Sequence, residues 1–319
     1  LASGLREQVI CDGATLWHAG IGKVGTRMGT GLALAMLGDI RAGYKEVEYA
    51  QKLARNQLPE AHRNRAMIAL LENKPTEALK ELKQAIILRP TDVDLKLELG
   101  DVYMMLNDME GARSEYVQAK DLSPARPEPF FKIAVLLKAQ ADVLKKDGKE
   151  DAAKKAYEEA LENARAAILR DDQFAPAYGL QAEILRILGR SKEAVELLER
   201  GMKIKGLSAQ LQEYFYRQAA SIDDWEGMER ATRAMLERDS SGMLYSRLGD
   251  ILSMRPQPDM AAAAAAYESA VQYSPDNAHA WAALGHIRVT HLGQFIGAEN
   301  ALQQALALDS KNAEAWRDQ

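Results

Sequence analysis

The sequence predicts an all-α protein built as a solenoid of tandem helical pairs, and three observations predict it. Residue types recur with a period near 34. Within each period, small and large residues alternate at positions that let two antiparallel helices interlock closely. Asparagine or glycine stands where the first helix of a pair should end, at Asn73, Asn107 and Gly189, and these residue types suit a left-handed turn.

The clearest copy of the period lies in residues 93–126. Its small residues are Gly100, Ala112 and Ala119, its large ones are Leu99, Tyr103 and Tyr116, and Pro124 follows the second helix. This spelling is similar to the consensus of the tetratricopeptide repeat (TPR) family. The resemblance implies a right-handed α-solenoid of about eight helix-turn-helix repeats.

The repeats are expected in order along most of the chain. Their predicted bounds are 28–58, 59–92, 93–126, 127–174, 175–207, 208–241, 242–277 and 278–312. Residues 1–27 are predicted to be irregular and glycine-rich, and residues 313–319 to begin a truncated repeat.

One repeat, 127–174, has 48 residues, which is 14 more than the period. Helical patterns run over residues 130–146 and 149–170, on both sides of Asp147 and Gly148. We therefore expect a pair about two turns longer than its neighbours that projects beyond the solenoid edge. The projection is interpreted either as a solvated spur or as a docking knob.

Composition disfavours several classes of function. The formal net charge is −5, whereas nucleic-acid binders are usually basic, so no nucleic-acid partner is expected. Cys11 is the only cysteine, which rules out an intrachain disulfide and a CxxC motif. Apolar runs fall far short of the ~20 residues that a membrane span needs. Bacterial cytoplasm and periplasm both remain open as compartments.

Two motifs raise the question of a cofactor. Residues 20–25 spell GxGxxG, but no convincing strand precedes them and no βαβ unit follows, so a glycine-rich lead-in is favoured over a nucleotide site. His279, His286 and Asp250 could ligate a metal, but their spacing is loose and a polar groove floor is favoured. No catalytic residue, cofactor or metal is predicted, and the chain is not expected to be an enzyme.

In the TPR family the first helix of each pair lines the concave surface. Carrying over the inward positions, the resemblance implies a partner-binding groove lined by Asp94, Leu97, Asp101, Met104, Met105, Glu128, Phe131, Val135, Lys138, Glu183, Arg186, Tyr216, Asp250 and His286. Its N-terminal half is apolar with acidic edges, which predicts an apolar helix or extended segment with Lys or Arg at its margins. The alternative is that these side chains pack against one another or against the long pair.

The predicted function is therefore a non-enzymatic scaffold or adaptor that binds a peptide or protein in the groove. The loosely consensus, alanine-rich repeats resemble bacterial members, which favours envelope assembly or exopolysaccharide export. The alternative is a regulatory or targeting arm of a larger enzyme or export protein, which the leucine at position 1 and the interrupted last repeat favour. A third reading is self-association through Trp316 and an uncapped end.

Overall fold

The computed structural model describes residues 23–53, 58–204, 206 and 208–309, and every regular element in these ranges is an α-helix. Sixteen helices follow one another there as eight pairs. The prediction of an all-α repeat solenoid with about eight helical pairs is confirmed. The chain divides after Asp171 into two compact units, each with four pairs.

The first unit holds helices α1 to α8. Their bounds are α1 Lys23–Met36, α2 Ile40–Leu53, α3 Pro59–Leu71, α4 Pro75–Leu88, α5 Val93–Met105, α6 Met109–Leu122, α7 Pro127–Lys146 and α8 Glu150–Arg170. Proline opens α3, α4 and α7, where its missing N–H costs nothing because the first turn of a helix leaves that donor unused.

The second unit holds helices α9 to α16. Their bounds are α9 Ala175–Ile187, α10 Ser191–Met202, α11 Ser208–Ala220, α12 Trp225–Leu236, α13 Gly242–Met254, α14 Met260–Tyr273, α15 Ala278–Thr290 and α16 Phe295–Leu308. Side chains cap several of these helices: Asp224 accepts from the amide of Gly227 at 2.9 Å, and Asn277 from that of Ala280 at 3.0 Å. Each cap satisfies a backbone donor that has no partner inside the helix.

The turns inside the pairs have the predicted left-handed backbone. Asn73 and Asn107 have φ of 58° and 60°, and Gly148 and Gly189 have φ of 74° and 76°. Glycine adopts this region at low cost, and asparagine and aspartate adopt it more readily than other residues, as Asp223 does with φ of 55°. The residue type at this position therefore determines where the first helix ends.

Small residues let the two helices of a pair approach closely. A Cβ added to Gly249 would lie 2.7 Å from the ring of Tyr267, and one added to Gly100 would overlap the ring of Tyr116. Ala112 and Ala119 are fully buried on the facing helix α6. The core of each pair is thus a set of glycine and alanine surfaces against tyrosine and leucine, as the alternation of sizes predicted.

The pair α7 and α8 is longer than its neighbours, as predicted. These helices have 20 and 21 residues, against 13 and 14 in α5 and α6. Buried alanines run along the whole pair at Ala134, Ala141, Ala153 and Ala160. The long pair therefore has close helix packing over its full length.

The ends of the sequence show one difference from expectation. Residues 23–27, expected to be irregular, form the first part of α1. Residues 1–22, with the first half of the glycine motif, lie outside the described residues, and so do 310–319, with Trp316 and the expected truncated repeat.

Candidate functional site

Ion pairs join the first helices of successive pairs in the first unit. Arg63 of α3 forms a bidentate pair with Glu98 of α5. Lys132 of α7 lies 2.7 Å from Asp101 of α5. The first helices α3, α5 and α7 are therefore neighbours, and their exposed sides form one face, which we call the unit 1 face.

The acidic residues predicted at the edges of the groove already have basic partners. Arg126 contacts Asp94 at 2.8 Å and Glu128 at 3.1 Å. Burial is the largest single influence on Glu128 and opposes its ionisation, but the hydrogen bond from Arg126, a backbone hydrogen bond and the charge of Arg126 together lower the pKa of that carboxyl. The acidic edges are thus largely neutralised within the protein.

The predicted groove residues of the first unit differ in exposure. Asp94 and Met105 are exposed, whereas Asp101, Met104, Glu128, Phe131, Val135 and Lys138 are half-buried. The role of Leu97 in the groove stays a prediction. Its side chain is only 6% exposed, which favours the alternative that it packs against neighbouring side chains. It is covered because α5 is flanked by α3 and α7, and a leucine between them gains free energy by joining the core.

Two apolar residues on the unit 1 face were missed. Met67 and Leu71 of α3 are 38% and 51% exposed, one turn apart on the same side of the helix. Leu71 lies one period before Met105, which is 57% exposed. We call Met67, Leu71, Met104 and Met105 the methionine strip; the repeat register, applied to residues 59–92, would have found its first two members.

The corresponding face of the second unit is polar. Arg247 of α13 lies 4.3 Å from the ring centre of Tyr216 and contacts Glu213 at 2.8 Å, both on α11. Beside them is a cavity of about 520 Å³. It is lined by Tyr216, Met243, Ser246, Arg247, Asp250, Ser274, Asp276, Asn277 and His279.

The cavity brings together two of the five residues predicted for this half of the groove, Tyr216 and Asp250. Glu183, Arg186 and His286 are not among its lining residues. Asp250 contacts His279 at 2.8 Å, whereas His286 makes an edge contact with the ring of His291 at 6.4 Å.

An aspartate–tyrosine hydrogen bond recurs in three pairs. The hydroxyl of Tyr116 donates to Asp101 at 2.6 Å, and that of Tyr267 to Asp250 at 2.6 Å. In the long pair Tyr157 donates to Asp142 in the same way. Each bond links the two helices of one pair and fixes a carboxylate on the first helix.

Two properties of the described residues bear on other functions. No group of three or more His, Cys, Asp or Glu there is close enough to hold a metal ion. No helix in the described ranges has the length and apolar character needed to cross a membrane.

Comparisons with known proteins agree with the repeat architecture. The family model described as Tetratricopeptide repeat matches residues 69–128, and a second model with that description matches 139–166 and 175–206. A TPR repeat-containing protein of Pseudomonas aeruginosa is 33% identical over 111 residues, which are 35% of this chain and 44% of that protein. The match thus spans less than half of that relative's length.

A second relative is covered more fully. The Photosystem I assembly protein Ycf3 of Rippkaea orientalis is 30% identical over 130 residues, which are 40% of this chain and 73% of Ycf3. Among solved structures, the C-terminal part of a TPR repeat-containing protein from Cytophaga hutchinsonii has a TM-score of 0.54 at 17% identity. That alignment covers 79% of this chain and 97% of the other, and it shows the fold alone. Taken with the eight helical pairs, these matches show that the chain belongs to the tetratricopeptide repeat family.

Proposed function

We propose that this protein is a scaffold that holds an apolar segment of a partner protein against the methionine strip of the first unit. Members of the family generally mediate protein–protein interactions, and their fold is generally non-catalytic. The observation that carries the proposal is the exposure of Met67, Leu71 and Met105 on adjacent first helices.

Exposure of this kind costs free energy unless a partner covers it. Burying apolar surface contributes about 25 cal/mol per Å², so a partner that covers three such side chains gains several kcal/mol from them. Methionine side chains are flexible and polarisable, and they adapt to partners of different shapes. An amphipathic helix or an extended apolar segment fits this surface.

The basic margins predicted for the partner stay a prediction. Asp94, Asp101 and Glu128 each have a cation within the protein. A partner lysine would therefore exchange with an internal pair rather than add a new one, and its net contribution at these half-exposed sites would be small.

The biological setting also stays a proposal. We propose that the scaffold serves the assembly of a bacterial complex, with envelope assembly or exopolysaccharide export as the specific candidates. The bacterial origin of the relatives described above supports a bacterial setting.

The methionine strip is tested by comparing the proteins that a double variant of the strip and a single control variant capture from the cell of origin. Leu71→Glu with Met105→Glu places two charges on the strip, and both residues are exposed enough for the fold to tolerate the change. Ile87→Glu is the matched control, because Ile87 is 69% exposed on α4, the second helix of its pair. We expect the strip variant to lose a captured protein that the wild type and the Ile87 variant retain.

Photocrosslinking makes the same test direct. A photoreactive amino acid at position 105 should crosslink to an apolar segment of that protein, identified by mass spectrometry. If the strip variant captures the same proteins as the control while its circular dichroism is unchanged, the methionine strip is not the binding surface.

A further inference from the structure

The three aspartate–tyrosine pairs differ in what occupies the second carboxylate oxygen. In the first two, Oδ1 accepts from tyrosine and Oδ2 accepts from a lysine: Lys132 lies 2.7 Å from Oδ2 of Asp101, and Lys138 lies 3.0 Å from Oδ2 of Asp142. The arrangement is thus a carboxylate shared between a phenol and an ammonium group.

In the third pair the ammonium group is absent among the described residues. Tyr267 and His279 both contact Oδ1 of Asp250, at 2.6 and 2.8 Å. Oδ2 of Asp250 makes no hydrogen bond or ion pair with any residue in the described ranges. This oxygen belongs to a residue that lines the 520 Å³ cavity.

The sequence explains why no lysine or arginine of the described residues reaches Asp250. Ser246 precedes it by four residues, in the place that Lys138 has before Asp142. Ala283 has the place in its repeat that Lys132 has in its own. The remaining nearby cation, Arg247, is held by Glu213 at 2.8 Å.

The cavity has the other features that a lysine side chain needs. Asp276 lines it as a second carboxylate. Met243, which is 72% exposed, and the ring of Tyr216 supply apolar surface for the methylene groups of the side chain. An ammonium group is favoured over a guanidinium because one open oxygen offers a single acceptor rather than the two that arginine binds in parallel.

We propose that this cavity binds a lysine side chain of a partner protein, with its ammonium group donating to Oδ2 of Asp250. The partner's lysine would take the place that Lys132 and Lys138 occupy in the other two pairs. This inference rests on the proposed function only in that a partner protein carries the lysine. It uses the second unit, whereas the methionine strip belongs to the first.

A small probe tests the cavity without knowledge of the partner. Methyl NMR of the ¹³C-methionine-labelled full chain reports on Met243, whose signal is assigned with the Met243→Leu variant. The probe is Nα-acetyl-lysine methylamide, and the norleucine analogue is the uncharged control. We expect a saturable shift of the Met243 signal with the lysine probe alone.

Two variants separate charge from shape. Asp250→Asn keeps the size of the side chain and an acceptor for Tyr267 but removes the charge, and we expect at least about tenfold weaker probe binding because a charge-assisted hydrogen bond is lost. Ser246→Lys supplies an internal ammonium group, as in the long pair, and we expect it to abolish binding. Ser246→Met is its uncharged control of similar length and should bind more tightly than Ser246→Lys.

Several outcomes would overturn the proposal: equal shifts with the norleucine probe, equal affinity in Asp250→Asn, or an equal shift of the Met105 signal in the first unit. If the strip variant captures the same proteins as its control while the lysine probe still binds, only the proposed function is rejected. The two ideas therefore fail separately.

Discussion

Tyr116 shows how one side chain joins packing to electrostatics. It is 2% exposed, its ring lies against Gly100, and its hydroxyl donates to Asp101. Burial raises the pKa of the Tyr116 phenol well above its usual range, and the hydrogen bond to Asp101 raises it further. The folded protein therefore strongly disfavours the phenolate.

This shift makes stability depend on pH above 10. The unfolded chain loses the Tyr116 proton near pH 10, its ordinary pKa, whereas the folded chain keeps it. The contribution of Tyr116 is therefore complete below pH 10 and is lost as the pH rises, by up to about 1.4 kcal/mol per pH unit. Tyr44, whose pKa is raised to about 12 by burial and by Glu72, changes stability in the same direction.

The variant Tyr116→Phe isolates the contribution of the Tyr116 hydroxyl to stability. We expect it to lower the free energy of unfolding by about 1 kcal/mol near neutral pH, because one hydrogen bond is lost. Above pH 10 its stability should fall less steeply than that of the wild type, as measured by urea unfolding on both sides of this pH. Parallel pH profiles for the two proteins would contradict the assignment.

At the scale of the helix, the close packing of α5 and α6 depends on a glycine. Gly100 in α5 leaves room for the ring of Tyr116 in α6, whereas a Cβ added to Gly29 in α1 would have no neighbouring atom of the described residues within 4 Å. A glycine inside a helix normally costs 0.5–1 kcal/mol, roughly, relative to alanine. These two glycines therefore respond to the same substitution in opposite directions.

We expect Gly100→Ala to destabilise the protein by about 1–3 kcal/mol, because the new methyl group overlaps a packed ring. The matched variant Gly29→Ala should stabilise α1 by roughly 0.5–1 kcal/mol. Urea unfolding followed by circular dichroism measures both. Equal effects of the two substitutions would show that the contact with Tyr116 does not limit the approach of α5 and α6.

The repeat register predicted where helices end, but it did not predict the contacts that the groove residues make within the protein. Asn107 and Gly189 determined where helices end because their backbone preference is local. The burial of Leu97 depends on helices on both sides of α5, and the pairing of Asp101 with Lys132 depends on side chains 31 residues apart. Neither this burial nor this ion pair can be inferred from the residues next to them in the sequence.

The long pair shows a second reason. The predicted register began at Pro127, yet Asp142 and Tyr157 form their bond in the half near Gly148, and the family match covers residues 139–166. The pair thus contains two overlapping sets of repeat positions. A repeat register counted from Pro127 alone therefore could not identify all the residues of this pair that face the groove.

At the scale of the whole chain, each compact unit holds four helical pairs. In repeat proteins stability is close to a sum of each pair and its contacts with its neighbours. Residues 1–171 and 172–319 each contain several such contacts, so each is expected to fold by itself.

We expect both fragments, expressed separately, to be helical and to unfold cooperatively in urea. A fragment cut after Asn107 separates α5 from α6 and is the control, because it leaves α5 without the helix that covers Gly100. It should lose helicity beyond the share of the missing residues. If either compact unit is unfolded when isolated, the division after Asp171 does not mark an independent unit.

The lengths of α7 and α8 indicate which insertions a pair of packed helices can accept. Each exceeds its counterpart in the preceding pair by seven residues. Seven residues turn a helix through nearly two full revolutions, with a phase error of about 20°. The added segments therefore keep their buried sides facing each other, while the ends next to α5 and α6 keep their orientation. We therefore expect this pair to tolerate insertions of seven residues in both helices, whereas an insertion of five residues would turn the buried alanines outward.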